Sequence, residues 1–406
     1  MSKTGSIEYS SWGVAWPFGF QANGLFAGIK KKTVYDLGLL LSDVPAVAAG
    51  VFTQNQMIAY PIAYSRDLLK KHKKATALLV NSGNANACTG THGEKVVHES
   101  VEKLSKTILK KPNEILTFST GRIGSKLPVK QILSHLPDLI RGLGRTGEHD
   151  EAFSQAILTT DTSSKKYGAE FTVGKNKVRL GCSTKGAGMI EPSMATMLCF
   201  ITCDAHLPYS LLHKTLKEVV ALTFNRISID GDMSTNDSVV ILCNGVSGVT
   251  FENENAPGFS LFKESLIQIC QCMSERIIAD GEGATKLVRI TVDNAKSEED
   301  AKAVCASIAN SLLLKCALFG SSANWGRILS SVGATKAKIN QKTLKVYLQG
   351  ILCYGNGEPN FNAEDLLKED MTSKEILIHV DLGSGLKSYA MLGTDLSDKY
   401  VEINKH

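Results

Sequence analysis

The 406-residue sequence is short of several things, and each absence excludes a class of function. None of its ten cysteines stands in C-x-x-C spacing, and its nine histidines form no HExxH and no Cys/His cluster at zinc-ligand spacing. A dithiol redox pair and a metal site therefore have no basis in the motifs. No stretch approaches the roughly 18 consecutive apolar residues of a spanning helix. The first twenty residues, MSKTGSIEYSSWGVAWPFGF, show neither an apolar signal-peptide core nor an Arg-rich transit pattern. These features lead us to expect a cytoplasmic protein with no membrane partner. Charge of one sign is also scarce: 45 Lys and Arg stand against 40 acids, a net +5. The densest basic run, KKHKK at Lys70–Lys74, reads as a solvated helix end, so no nucleic-acid partner is expected.

Hydrophobic residues make up 43% of the chain and charged ones 21%, the balance of a globular protein with ample core. The length suggests two or three units of domain size. Most cysteines sit in apolar runs such as VCASIANSLLLKCALF, as small buried hydrophobes in a reducing compartment would.

Periodicity gives a layered α/β pattern. ATALLVNSG reads as a buried strand, and the residues after it as an amphipathic helix with Val96, Val97, Val101, Leu104 and Ile108 on one face. EILTFSTGRIGSKLP is a second strand, stopping at Ser119-Thr120-Gly121. Residues 140–150 read as a loop. TMLCFITCD, SVVIL, LVRITVD, LKVYLQGILCYG and KEILIHVDLG read as strands. SLLHKTLKEVVALTFN and FKESLIQICQCMSERIIAD read as helices, and SEED as a capping box opening another. VTFENENAPGFS is expected to be a solvated loop. No fixed-period repeat and no low-complexity linker is present.

The stretch KGAGMIEPSMATMLCF, from Lys185 to Phe200, carries the chemistry. A small-residue turn feeds Ala195-Thr196 directly into an apolar strand. Spacing alone leaves two readings: an ordinary strand start, or a nucleophile. A Thr hydroxyl is a weak nucleophile and needs a base beside it. Cleavage of the Ala195–Thr196 bond would supply one, since the released α-amine titrates at about 7.7–8.0 and reaches its own hydroxyl. The same hydroxyl can make that cut by attacking the Ala195 carbonyl, followed by hydrolysis of the ester.

KGAGMIEPSMATML resembles the processing-site motif of the ornithine acetyltransferase family, the arginine-biosynthesis glutamate N-acetyltransferases. GFQANGLFAGIK, DLGLLLSDVPAVAAGVFTQN, VNSGNANACTG, STGRIGSKLP, AILTTDT, DGDMSTNDS, DGEGATKLV and SANWGRI match the same family in order, from about residue 18 to about residue 330. The resemblance implies an αββα-type sandwich with an N-terminal-nucleophile-like site, plus a smaller C-terminal α/β domain over roughly 285–406. It implies autocatalytic cleavage between Ala195 and Thr196 into segments 1–195 and 196–406 that stay together, in an oligomer of such pairs.

By the same resemblance Thr196 takes acetyl from N2-acetylornithine and passes it to glutamate, in ping-pong order. Thr120 and Gly121 match the oxyanion-hole pair. Thr159, Lys185, Thr196, Glu282 and Asn404 match substrate-binding positions, Lys185 for the α-carboxylate and Glu282 for an ammonium group. No bound cofactor is implied; acetyl-CoA is a co-substrate only in bifunctional members, which these residues do not distinguish. Two departures stand out. Arg122 replaces a Val, and the Thr or Ser five residues after the Asn404 position has no counterpart before His406. An amidohydrolase or aminopeptidase of like architecture, passing the acyl group to water, is the alternative enzyme; a non-catalytic binding protein is the alternative of another class.

Overall fold

The structure is a computed structural model that describes residues 6–191 and 197–405. The chain divides into two compact units. The first holds the described parts of Met1–Gly186 and Ser193–Asn225, together with Met233–Ser274. The second holds Glu275 to the C-terminus, Arg226–Asp232, and the described part of Ala187–Pro192. Residues 285–406 of the expected C-terminal domain fall within this second unit.

Unit 1 is built on nine strands: β1 (Glu8–Ser10), β2 (Phe20–Leu25), β3 (Leu37–Phe52), β4 (Lys74–Asn84), β5 (Ile115–Arg122), β6 (Lys165–Val173), β7 (Asn176–Lys185), β8 (Leu198–Cys203) and β9 (Ser238–Cys243). They form one hydrogen-bonded sheet in the order β1-β6-β7-β8-β9-β3-β4-β5, with β2 on β3. β8 and β9, LCFITC and SVVILC, pair in parallel and are buried at every residue, which is why they read as continuous apolar runs.

This sheet closes over itself. β8 and β5 lie four steps apart, about 19 Å in a flat sheet at ~4.8 Å per strand. The rings of Phe200 on β8 and Phe118 on β5 nevertheless meet edge to face with centroids 5.0 Å apart. The sixteen-residue β3 makes the fold possible: it pairs β2 through its first half and β9 through its second, with an irregularity between Leu41 and Ala46. Its two halves thus serve two layers. Phe20, Leu78, Val80, Phe118, Phe153, Phe200 and Val240 fill the space between.

Helices α1 (Tyr60–His72), α2 (Gly90–Ile108), α3 (Val129–Arg141), α4 (Gly147–Ala156), α5 (Tyr209–Leu222) and α6 (Phe259–Ala279) follow in chain order. On one outer face Val96, Val97, Val101 and Leu104 of α2 and Ile132, Leu136 and Leu139 of α3 cover Leu37, Leu39, Ala77 and Leu79. On the other, Cys270 of α6 lies by Cys199 of β8, which is 3.5 Å from Cys182 of β7. The layers are those of an αββα sandwich. KKHKK indeed ends α1, with Lys73 in the left-handed conformation as its C-cap.

Two expectations need correction. Residues 140–150 are not one loop: α3 runs through Arg141 and α4 starts at Gly147, where Thr146 and His149 form a reciprocal cap. VTFENENAPGFS is not freely solvated, because Val249, Phe251 and Phe259 are buried and the Phe251 ring packs on Phe259 and Phe262.

Unit 2 is a six-stranded mixed sheet of β10 (Leu287–Ala295), β11 (Lys345–Leu348), β12 (Ile351–Gly355), β13 (Glu358–Pro359), β14 (Glu375–Asp381) and β15 (Lys387–Thr394), ordered β13-β12-β11-β14-β10-β15. Alternate residues of β10 and β14 point inward, and Val288, Ile290, Val292, Ile376, Ile378 and Val380 join Val304 and Ile308 of α7 (Glu298–Ala309) in the core. Ser297 caps α7 by accepting from the Asp300 N–H, as SEED suggests. α8 (Leu312–Phe319), α9 (Gly326–Gly333), α10 (Ala363–Leu367) and α11 (Asp398–Asn404) complete the unit. Among the described residues no single helix is long and apolar enough to cross a membrane.

Candidate active site

The site begins where two parallel strands end together. β4 and β5 pair so that Gly83 faces Gly121, and Thr120 faces Ser82 and Asn84. Both glycines have positive φ, 93° and 128°. A Cβ on Gly121 would stand 2.4 Å from the Gly83 carbonyl carbon and 2.6 Å from the Asn84 nitrogen, so only glycine fits. Side-chain amides lock this turn. Asn236 Nδ2 donates to the carbonyls of Ala85 and Ser119 at 2.7 Å each. Ser119 Oγ donates to Asn81 Oδ1 at 2.6 Å, and Asn81 Nδ2 to the Asn84 carbonyl at 2.9 Å. Thr120 is buried, while Gly121 and Arg122 are exposed, so the guanidinium that replaces the family's Val sits at the surface.

Lys185 closes β7 and is buried. Its Nζ donates to Thr159 Oγ1 at 3.1 Å, bringing two expected substrate positions into contact across 26 residues of chain. Between their segments stands Asp161, to which no role was expected. Its carboxylate accepts from the Thr159 N–H at 3.1 Å, the Gly186 N–H at 2.7 Å and Lys165 Nζ at 2.8 Å. Burial would raise its pKa, but Lys165, Lys185 and these hydrogen bonds outweigh that and hold it at about 2. Lys30 joins from β2's loop, donating from Nζ to the carbonyls of Leu158 at 2.8 Å and Tyr35 at 3.0 Å. Burial, helped by Lys185 and opposed by Asp36 and Asp161, lowers it to about 8.

β7 and β8 are antiparallel neighbours, with Lys185 opposite Leu198. Thr196 and Ala195 lie outside the described residues; Met197, the next residue, is within them. The Met197 N–H donates to Asp237 Oδ1 at 3.1 Å, and its carbonyl accepts from the Ser238 N–H at 3.0 Å. Asp237 is wholly buried, and that burial raises its pKa well above the usual carboxylate range against the pull of the Met197 N–H and Lys185. Asp237 and Asn236 belong to DGDMSTNDS, a block noted for its order but not for any side chain; Asp161 sits inside AILTTDT beside Thr159. Only tertiary pairing shows what these three do.

In unit 2 the two remaining expected residues meet each other. Asn404 of α11 donates from Nδ2 to Glu282 Oε2 at 2.6 Å. The Glu282 N–H donates to the Ala187 carbonyl at 2.7 Å, and a Cβ on Gly188 would stand 2.5 Å from Glu282 Cδ. Gly188 of KGAGM therefore makes room for a carboxylate. The N–H groups of Met189 and Ile190 both donate to Asp230, which also accepts from Tyr400 Oη at 3.1 Å.

Unit 1 thus carries a strand-end turn with a hydroxyl and an exposed N–H, and a buried cation beside a hydroxyl. Unit 2 carries a carboxylate paired with an amide. The ArgJ family model matches residues 21–406. The chain is 39% identical over 405 residues to the arginine biosynthesis bifunctional protein ArgJ of Bacillus thuringiensis subsp. konkukian, covering all of this chain and 98% of that one. It is 41% identical over 395 residues to the protein of that name from Lactococcus lactis subsp. lactis, covering 96% and 97%. Among solved structures, that of the Bacillus halodurans ArgJ protein aligns at 33% identity and a TM-score of 0.45, covering 48% of this chain and all of that one. The Mycobacterium tuberculosis ornithine acetyltransferase complexed with ornithine aligns at 28% and 0.43, with the same coverage.

Proposed function

The chain belongs to the ArgJ family, acetyltransferases of arginine biosynthesis, and from that premise we propose that it moves acetyl from N2-acetylornithine to glutamate through an acetyl ester on Thr196. Thr196 is made competent by self-cleavage after Ala195. The observation that supports the reading is the β7–β8 register: the chain leaves the sheet at Lys185 and re-enters it at Leu198 directly opposite, two residues after Thr196 in sequence, and Lys185 contacts Thr159.

The chemistry follows in order. The α-amine of Thr196 takes the hydroxyl proton as the oxygen attacks the acetyl carbonyl. The tetrahedral oxyanion is met by the Thr120 hydroxyl and the Gly121 N–H, which the Gly83–Gly121 pairing holds in place before substrate arrives. Collapse expels the α-amine of ornithine, protonated by the Thr196 amine. Glutamate's α-amine then attacks the ester by the reverse path. Both carriers share an α-carboxylate, which suits the Lys185–Thr159 pair; Glu282 and Asn404 are assigned to the ammonium end of ornithine. We extend the reading to an oligomer of cleaved pairs in the cytoplasm that needs no bound cofactor. Use of acetyl-CoA as a second acetyl donor is a separate activity, tested by supplying it with glutamate alone.

The test is to incubate the protein with N2-acetylornithine with and without glutamate. Ornithine release that depends on glutamate, with parallel lines in double-reciprocal plots, is the expected result. Ornithine and free acetate accumulating at the same rate without glutamate would assign it instead to the hydrolases.

A further inference from the structure

We propose that Asp161 is a positioning residue of the substrate-carboxylate site, setting the place of Lys185 and Thr159, and that buried Lys165 is its counter-ion. The inference rests on the acetyl-transfer reading above and adds to it a pair of residues with no expected role.

Three features argue for it. First, Asp161 is bonded to the backbone on both sides of the site. It accepts the Thr159 N–H at 3.1 Å and the Gly186 N–H at 2.7 Å, so one carboxylate spaces the Thr159 loop from the end of β7 that carries Lys185. The Leu158–Thr159 peptide is held at its other edge too, its carbonyl accepting from Lys30 Nζ at 2.8 Å. That peptide has no freedom to turn, and Thr159 Oγ1 is presented to Lys185 Nζ.

Second, the side chains of Asp161 and Lys165 have 0% and 2% of their surface exposed and stand 2.8 Å apart. At that distance the buried cation balances the buried carboxylate. Third, Asp161 is the anion that Lys185 and Lys30 share. The other acids facing these cations are Asp36, beside Lys30, and Asp237, beside Lys185. Ionised from about pH 2 upward, Asp161 opposes the burial that lowers Lys30 to about 8.

A purely structural ion pair would give the same picture in a single variant, so the test uses two. Asp161→Asn removes the negative charge beside buried Lys165. Asp161→Asn with Lys165→Met removes both charges, and a buried pair replaced in this way commonly regains stability. Thermal melting, the KM and kcat of each substrate, and the pH profile of kcat/KM are measured on wild type and both variants. The expected result is that the double variant melts near wild type yet keeps the lesion. Its KM for acetylornithine and for glutamate is raised about 10-fold or more by misplacement of Lys185 and Thr159, with a smaller change in kcat. Its alkaline limb moves to lower pH, because Lys30, already lowered to about 8, loses an anion that holds its proton. A double variant with wild-type KM values and pH profile would reduce Asp161 to a structural partner of Lys165 and overturn the inference. Failure of the acetyl-transfer reading is separately visible, as glutamate-independent turnover by wild type.

Discussion

Asp161 also leaves a mark on stability. It titrates at about 2 in the folded protein, below the ordinary value of 3.8. A carboxylate whose pKa is depressed on folding stabilises above its unfolded pKa, and that contribution is lost as pH falls through the folded one. Nearly two units correspond to about 2 kcal/mol, present at neutral pH and lost between about pH 4 and pH 2. Denaturant titrations should find the gap between wild type and Asp161→Asn shrinking by about that amount from pH 7 to pH 2. A gap independent of pH would mean that Asp161 is not ionised in the fold.

At this scale the sequence is informative about one kind of residue only. Thr196, Lys185, Thr120, Gly121, Thr159, Glu282 and Asn404 stand in segments whose order matches a known pattern, so their numbers can be carried over. Asp161 and Asp237 stand in such segments with no role attached to them, and Lys165 stands outside them. Each is a charged residue in a polar stretch, and local pattern predicts solvent for it. Their burial comes from β6, β7 and β8 pairing over long separations, which no window of sequence contains.

The turn at the end of β5 gives the sharpest test of an element. STGRIGS carries two glycines of positive φ, Gly121 at 128° and Gly124 at 75°. A Cβ on Gly121 would meet the backbone of Gly83 and Asn84, whereas one on Gly124 meets nothing within 4 Å. Gly121→Ala should therefore cost on the order of 100-fold in kcat by displacing an oxyanion donor. Gly124→Ala should cost only the strain of its backbone, about 1 kcal/mol in stability, with kcat retained. Equal losses of kcat in both would mean that the β4–β5 turn is not the oxyanion site. In unit 2, Gly188→Ala should push on the Glu282 carboxylate and raise the KM for acetylornithine more than that for glutamate. Equal rises would separate Glu282 from the ornithine side chain.

Helices α2, α5 and α6 and strands β4, β5, β8 and β9 are legible because each buries a face or both faces, and apolar spacing records that. β6 and β7 are less so: a two-residue Gly174–Lys175 loop joins them, but their alternation is broken by Lys, Glu and Arg residues that pair with one another across the strands. α4 hides behind the glycines at 142, 144 and 147. The closure of the sheet through β3 leaves no local trace, since it is a matter of which strand each half pairs with.

For the whole molecule, likeness in sequence runs from end to end: identities near 40% extend over nearly the full length of this chain and of its relatives. The units described here divide the chain at other points than Ala195–Thr196, so cleavage there would cut between segments that fold together within unit 1. Purified wild type should run on a denaturing gel as two bands of similar size, and Thr196→Ala as one full-length band. Two bands from the variant would assign the cut to another residue or to a contaminating protease.

The decisive observation is the mass of the fragments after brief exposure to N2-acetylornithine without glutamate. A fragment beginning at Thr196 and carrying one acetyl group, which glutamate then removes as N-acetylglutamate, is the predicted result. An intact chain, or a cleaved one that turns over substrate without ever holding acetyl on that fragment, would contradict it.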